Sequence, residues 1–265
     1  MDDLLELAID AARRAGALLV DRSHAAATGV ATKSTDTDMV SDADRASERL
    51  LRRIIGRARP DDAILGEEAG GAAGNSGLRW VVDPLDGTTN YLYRYPVWSV
   101  SVACEDEAGW LVGVVHDPLR DETFGAARGR GATLNGVAVH VSDQPSLADA
   151  LVATGFSYAP ARRRRQALLV AGLIGDVRDL RRAGSAALDL AWVAAGRLDG
   201  FFEAPLELWD MAAGTLLVRE AGGIVTPLPA DRGDGEGVVA AGMRLHPQLA
   251  ARVDTGSLSP PDGLR

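Results

Sequence analysis

The chain has 265 residues, 46% hydrophobic and 25% charged, which suffices for one large domain or two packed halves. Its net charge of −9 disfavours a general binder of nucleic acid or anionic membrane, which needs a basic face. The same charge does not argue against an anionic substrate, because bound cations can reverse the local charge of an acidic pocket.

The start, Met1-Asp2-Asp3-Leu4, has neither the basic first residues nor the apolar stretch of a signal peptide. No run approaches the about 18 continuous apolar residues of a membrane span. The expected location is the cytoplasm. Cys104 is the only cysteine, so no intramolecular disulfide can form. At the end of an apolar run it reads as a small buried residue.

Over residues 3–21, Leu4, Leu5, Ala8, Ala11, Ala12, Ala15, Leu18 and Leu19 recur at helical spacing, which predicts an amphipathic helix. A polar segment containing Lys33 follows. A second helix starts at Ser41 or Asp42, both good N-cap types, and turns Leu50, Leu51, Ile54 and Ile55 inward. The period then changes. Residues 80–82, 97–104, 111–115 and 123–126 are short apolar or alternating runs between turn residues, predicting strands of a largely antiparallel sheet. Asn135-Gly136 is a type I′ hairpin signal, and the Gly-, Ala- and Asn-rich stretch 70–77 reads as a surface loop.

Beyond about residue 140, strand-like and helical segments alternate, as in a mixed α/β half. Strands are predicted at 151–154, 198–202 and 224–225. Helices are predicted at 163–173, at 185–195 closed by Gly196, and at 210–221 closed by Gly222-Gly223, with the tail 254–265 disordered. No repeat or Pro/Ser-rich linker divides the chain, so two halves sharing an interface are expected.

The segment Trp80-Val81-Val82-Asp83-Pro84-Leu85-Asp86-Gly87-Thr88-Thr89-Asn90 carries the chemistry. An apolar strand ends on Asp83, Pro84 stiffens the turn, and Asp86 lies three residues on. Two such carboxylates can converge on one small volume and suit Mg²⁺ or Mn²⁺ better than zinc. Gly87 allows close backbone approach, and the amides of Gly87 and Thr88 could cradle phosphate oxygens. Taken alone, the segment reads equally well as a surface turn. Glu67-Glu68 after Ile64-Leu65-Gly66 is a second acidic pair, more often a solvated loop. Asp210, after Trp209 at a helix start, is explained equally by N-capping. The four histidines, His24, His116, His140 and His246, lie away from these motifs and read as surface or packing residues.

In order, Gly66-Glu67-Glu68, the 80–90 segment and Trp209-Asp210-Met211-Ala212-Ala213-Gly214 closely resemble the inositol monophosphatase family. Lys33, Val40-Ser41-Asp42-Ala43-Asp44, and Arg182-Ala183-Gly184-Ser185-Ala186-Ala187 leading to Phe201-Phe202-Glu203 also match. The match runs from about Leu4 to Val253. The resemblance implies an α+β fold, a layered αβαβα sandwich with an N-terminal, largely antiparallel sheet and a C-terminal mixed sheet, each flanked by helices. It also implies an N-terminal metal- and phosphate-binding half (1–138) and a C-terminal substrate-binding half (139–253), ahead of the tail.

Carried over by position, Glu67, Asp83 and the Leu85 carbonyl would hold one Mg²⁺. Asp83, Asp86 and Asp210 would hold a second. Glu68 would reach a third through water, and Mn²⁺ could substitute. Glu67, Thr88 and Asp44 would orient the attacking water, and Gly87 and Thr88 would bind phosphate. Gly184, Ser185, Ala186 and Glu203 would contact polyol hydroxyls, with Lys33 and Glu68 in support.

The activity implied is Mg²⁺-dependent hydrolysis of myo-inositol monophosphate, with lithium sensitivity and a homodimer. Fructose bisphosphate, histidinol phosphate and nucleotide-derived phosphates stay open as substrates. Thr89-Asn90 and Trp209-Asp210 point away from histidinol phosphate. Membrane and nucleic acid are not expected partners. A regulatory protein binding RNA or another protein is the alternative from a different class. Its support is the run Arg162-Arg163-Arg164-Arg165 with Arg178, Arg181 and Arg182, which a solvated face explains as well.

Overall fold

The computed structural model describes residues 1–23, 31–32, 39–40, 42–229 and 235–254. Lys33, Ser41, His24 and the tail beyond 254 lie outside the described residues. In chain order the elements are α1 (Asp2–Ser23), β1 (Ala31–Thr32), β2 (Met39–Val40), α2 (Asp42–Ala58), β3 (Ala63–Gly66), β4 (Gly70–Ala72), β5 (Arg79–Asp86), α3 (Thr88–Leu92), β6 (Ser99–Asp106), β7 (Gly109–Asp117), β8 (Glu122–Ala127), β9 (Ala132–Leu134) and β10 (Val137–Val139). There follow β11 (Leu151–Thr154), α4 (Pro160–Leu173), β12 (Asp179–Arg181), α5 (Ala186–Ala194), β13 (Gly200–Glu203), α6 (Leu208–Glu220), β14 (Gly223–Pro229), β15 (Glu236–Gly242) and α7 (His246–Val253).

Strand alternation explains the layers. In the larger sheet, ordered β10-β9-β8-β7-β6-β5-β3-β4, Trp80, Val82, Val100, Val102, Val112 and Val114 pack against Ala8, Ala11, Leu51 and Ile55 of α1 and α2. Their neighbours Val81, Ala103, Val115 and Phe124 point to the opposite face and pack on α5 and α6. The smaller sheet, ordered β12-β11-β13-β15-β14, repeats the device. Phe201, Val238 and Ala240 face α5 and α6, whereas Phe202, Val239 and Ala241 face Leu169, Leu173 and Leu249 of α4 and α7. Two sheets interleaved with three helical layers make the αβαβα sandwich, an α+β fold. Within the larger sheet only β3 and β5 run parallel. In the smaller, β11 runs parallel to both its neighbours and the remaining pairs are antiparallel.

Several boundaries differ from the sequence expectation. Part of the stretch 70–77 is a strand, because Gly70, Gly71 and Ala72 pair with Gly66, Leu65 and Ile64; ladder bonds outweigh glycine's low strand propensity there. Helix α4 begins at Pro160, where proline's missing N–H costs nothing. Helix α6 begins at Leu208 with Glu207 as N-cap, so Asp210 is the third helical residue and not the cap. Asn135 and Gly136 both have positive φ and close the β9–β10 hairpin, as their chemistry demands.

His116 is buried, with Nδ1 3.0 Å from Thr123 Oγ1, and His246 has Nε2 3.0 Å from Thr226 Oγ1. Both are packing residues. Cys104 is buried, and burial pushes its thiol up to about 12, so it stays protonated. No helix of the described residues is long and apolar enough to cross a membrane.

Candidate active site

The site is built where β5 leaves the sheet. Asp83 faces Ser101 and Asp86 faces Ser99, so three steps on β5 match two on β6 and the strand bulges. Pro84 forces this, since it has no N–H for the ladder. The bulge is pinned on both sides: the Leu85 amide donates to Asp83 Oδ1 (2.9 Å) and the Ser47 hydroxyl to the Pro84 carbonyl (2.8 Å). Gly87 then turns the chain into α3 with φ 97°. A Cβ there would lie 3.1 Å from the Val97 carbonyl and 3.2 Å from that of Gly184, so conformation and space both call for glycine. The Thr88 hydroxyl sits 3.0 Å from Asp44 Oδ1 and 3.1 Å from the Leu85 carbonyl, and donates toward them.

Helix α5 contributes through its N-terminus. Asp86 Oδ2 accepts from the Ser185 hydroxyl (2.6 Å) and from the Ala187 amide (2.8 Å). Ser185 in turn caps the helix by accepting from the Leu188 amide. Helix amides and dipole favour an anion at this spot. Asn90 ties the two segments together by donating to the carbonyls of Val97 (2.7 Å) and Ala183 (2.9 Å). Asp210 lies across from this cluster and accepts from the Glu207 amide (2.8 Å) in a capping box.

The charges are crowded. Burial pushes Asp83 well above the carboxylate range, and the charges of Glu67, Asp86 and Asp210 add to the shift. Asp210 is raised in the same way, by burial and then by Asp86. Burial takes Asp86 up to about 6, against the opposing hydrogen bonds from Ser185 and α5. It takes Glu203, at the end of β13, up to about 8, against the opposing charge of Arg182. Glu203 sits in a slot that exists because residue 155 is glycine: a Cβ there would lie 1.9 Å from its Oε2.

Asp44, Glu67 and Glu68 each bring a carboxylate oxygen within 4.8 Å of the others. Asp83, Asp86 and Asp210 fall outside that tight group, and each gives one oxygen to a protein donor. An all-oxygen donor set of mutually repelling, buried carboxylates fits a hard divalent cation.

Sequence reasoning missed three members. Glu48, 2% exposed on α2, accepts from the amides of Glu68 (2.6 Å) and Ala69 (3.1 Å), and from Arg52 Nε (2.7 Å). It fixes the turn that presents Glu67 and Glu68. In sequence it is an ordinary i, i+4 partner of Arg52. Asn90 stood at the edge of the motif with no assigned role. Asp189 is buried on α5, its Oδ1 without a hydrogen-bond partner among the described residues. Burial first, then Glu203 and Asp86, raises it well above the carboxylate range. Its signal was a lone acid in the apolar run Ala187-Leu188-Asp189-Leu190-Ala191. If Glu67 and Glu68 hold a divalent cation that serves phosphate release, replacing Glu48 with Gln is expected to lower that release by about 10- to 100-fold, as for residues that orient metal ligands. A steady-state phosphate assay alongside a melting curve checks this, and unchanged turnover would remove Glu48 from the site.

The five-layer α+β sandwich, with an acidic cluster that could bind a metal ion, has the architecture of the inositol monophosphatase structures. The sequence pattern of the inositol monophosphatase family matches residues 1–257. The protein named Nus factor SuhB in Escherichia coli strain K12 is 43% identical over 228 residues, covering 85% of each chain. The extragenic suppressor protein suhB from Bartonella henselae superposes with a TM-score of 0.90 at 38% identity, over 96% of this chain and 99% of that one. The inositol monophosphatase of Anabaena (Nostoc) sp. PCC 7120 gives 0.83 at 36% identity, covering 98% of both. The chain belongs to the inositol monophosphatase family. Since relatives carry the name Nus factor, the expectation that nucleic acid is no partner gains no support from them.

Proposed function

We propose that the protein is a Mg²⁺-dependent phosphomonoesterase that hydrolyses myo-inositol monophosphate to inositol and phosphate. One observation carries this: Glu67, Asp83, Asp86 and Asp210 feel one another's charge beside a threonine hydroxyl held by Asp44. Glu67, Asp83 and the Leu85 carbonyl would hold one ion, and Asp83, Asp86 and Asp210 the other, with Glu68 reaching a third through water. When bound, such ions activate water and stabilise the leaving oxygen.

The chain's own residues supply the rest. Because Thr88 donates its proton toward Asp44, its lone pairs are left to accept from the attacking water, which Glu67 orients. The amides of Gly87 and Thr88 hold phosphate oxygens. Gly184, Ser185, Ala186 and Glu203 meet the polyol; Ser185 also keeps Asp86 in place. The division into a metal-binding half (1–138) and a substrate-binding half (139–253), the cytoplasmic location, the homodimer and lithium sensitivity belong to the same reading.

Phosphate release from inositol-1-phosphate, fructose-1,6-bisphosphate, histidinol phosphate and glycerol-2-phosphate, with Mg²⁺ or chelator, tests it. Inositol-1-phosphate is expected to lead and chelator to stop all release. Equal rates across the panel would reject an inositol-specific enzyme in favour of a general sugar phosphatase.

The name of the relatives favours a second reading, a regulatory role through RNA or a protein partner. The exposed Arg163, Arg164, Arg178 and Arg181 would carry it. Changing Arg162 to Arg165 to Ser is then expected to abolish RNA retention in a gel-shift assay while sparing phosphate release. An unchanged shift would rule out this surface.

A further inference from the structure

The two sides of α2 carry different chemistry. Its inward side braces the carboxylate cluster: Asp44 accepts from Thr88, Ser47 donates to the Pro84 carbonyl, and Glu48 holds the Glu68 and Ala69 amides. On its outward side Arg49, Arg53 and Arg57 stand exposed, one helical turn apart. Their neighbour Arg52 pairs with Glu48, but these three form no hydrogen bond or ion pair among the described residues. The helix dipole favours Arg57 in the last turn. Arg49 and Arg53 lie too far from that end, and like charges four residues apart oppose the helix. Nothing within the fold accounts for the row.

Two of these arginines, Arg53 and Arg57, line a cavity of about 430 Å³ between α2 and α1. Arg14 of α1 also lines it, paired with Asp10 at 3.1 Å. The floor is aliphatic, made of Leu7, Leu50 and Ile54. Leu7 and Leu50 are only partly buried against the core beneath. Three guanidiniums against one carboxylate make this furrow cationic, on a chain whose net charge is −9.

The furrow's chemistry selects its occupant. Nucleic acid binds best where bases find aromatic faces, and no aromatic residue lines the furrow. A membrane takes up apolar side chains that protrude among the cations, whereas the apolar groups here lie at the bottom. A helix bearing carboxylates meets both parts. Acids four residues apart repeat at the pitch of the arginine row. Leu or Ile three residues after each acid falls on the adjacent row, over the floor. We infer that the furrow between α1 and α2 docks an acidic amphipathic helix of a partner protein, its carboxylates on Arg53 and Arg57 and its aliphatic side chains on Leu7, Leu50 and Ile54. The inference is independent of the phosphatase reading.

The test follows, by fluorescence anisotropy, the binding of a labelled helical peptide to the full chain. The peptide carries Glu at every fourth position and Leu three residues after each Glu; one control replaces Glu with Lys, another replaces Leu with Ser. The Glu/Leu peptide is expected to bind about tenfold or more tighter than either control. An Arg53→Ser/Arg57→Ser variant should lose about tenfold in affinity, as two surface ion pairs allow. Both side chains are exposed, and a melting curve checks that the variant is folded. An Arg163→Ser/Arg164→Ser variant should bind as the wild type does.

Equal binding of the Glu/Leu and Glu/Ser peptides would reduce the furrow to a diffuse positive field and overturn the inference. Undiminished binding in the Arg53/Arg57 variant, or lost binding in the Arg163/Arg164 variant, would overturn it as well. A second arm offers single-stranded RNA, and vesicles of phosphatidylglycerol with phosphatidylcholine. Either one bound more tightly than the peptide, and released by the Arg53/Arg57 variant, would assign the furrow to that partner and overturn the docked helix.

Discussion

Replacing Asp83 with Asn is expected to lower Mg²⁺-dependent phosphate release by about 10³-fold or more, while the metal-free variant melts no lower than the wild type. The two halves of this result have one cause. Asp83 is 2% exposed and sits among Glu67, Asp86 and Asp210, whose charges penalise its own. Without cations that arrangement opposes folding, so removing a charge relieves strain between carboxylates. Asparagine keeps an oxygen to accept from the Leu85 amide and leaves the bulge intact. On the proposed reading the same carboxylate would be the shared ligand once cations bind, and an amide would be a far weaker one. Sites built for function commonly oppose stability in this way. Phosphate release and metal-free thermal melting, measured on one preparation, decide the matter. Retained activity would end the assignment of Asp83 as shared ligand.

The second large effect is a coupling of Mg²⁺, pH and stability. Asp83, Asp86, Glu203 and Asp210 hold their protons to a higher pH in the folded chain than ordinary carboxyls do in the unfolded one. The folded state therefore binds more protons above about pH 4, and metal-free stability falls as pH rises. The loss continues through about 6 for Asp86 and about 8 for Glu203. For Asp86 alone, moving from 3.8 to about 6 corresponds to on the order of 3 kcal/mol. Mg²⁺ should oppose this loss and release protons on binding. The gain in melting temperature with Mg²⁺ is thus expected to be larger at pH 8 than at pH 6, as thermal melts at the two values would show. A gain independent of pH would mean the ion binds away from these carboxylates.

The residues that could be found by reading were those whose chemistry is contiguous. Asp83 to Thr88 announces itself because proline, two carboxylates and a glycine fall within six positions, and the bulge follows from Pro84. The layers were legible for a similar reason, since alternate residues of β5, β6 and β7 are apolar on both faces. Glu48 is not legible in the sequence, because its partner there is Arg52, four residues on, and only the tertiary fold brings the Glu68 and Ala69 amides to it. Asp189 was hidden by the apolar helix around it. The start of α6 is not legible at Asp210, because Asp serves equally as an N-cap and, as here, as the third residue of a capping box whose cap is Glu207. The strand β4 is made by pairing to β3, a contact that glycine propensity cannot announce.

Glu67, Asp83, Asp86 and Asp210 are proposed to form one divalent-metal site. Crystals grown with Mn²⁺ and measured for its anomalous scattering test that claim most directly. The expected result is two peaks, one touching Glu67, Asp83 and the Leu85 carbonyl and the other touching Asp83, Asp86 and Asp210. A single peak confined to Asp44, Glu67 and Glu68, or none near β5, would contradict it.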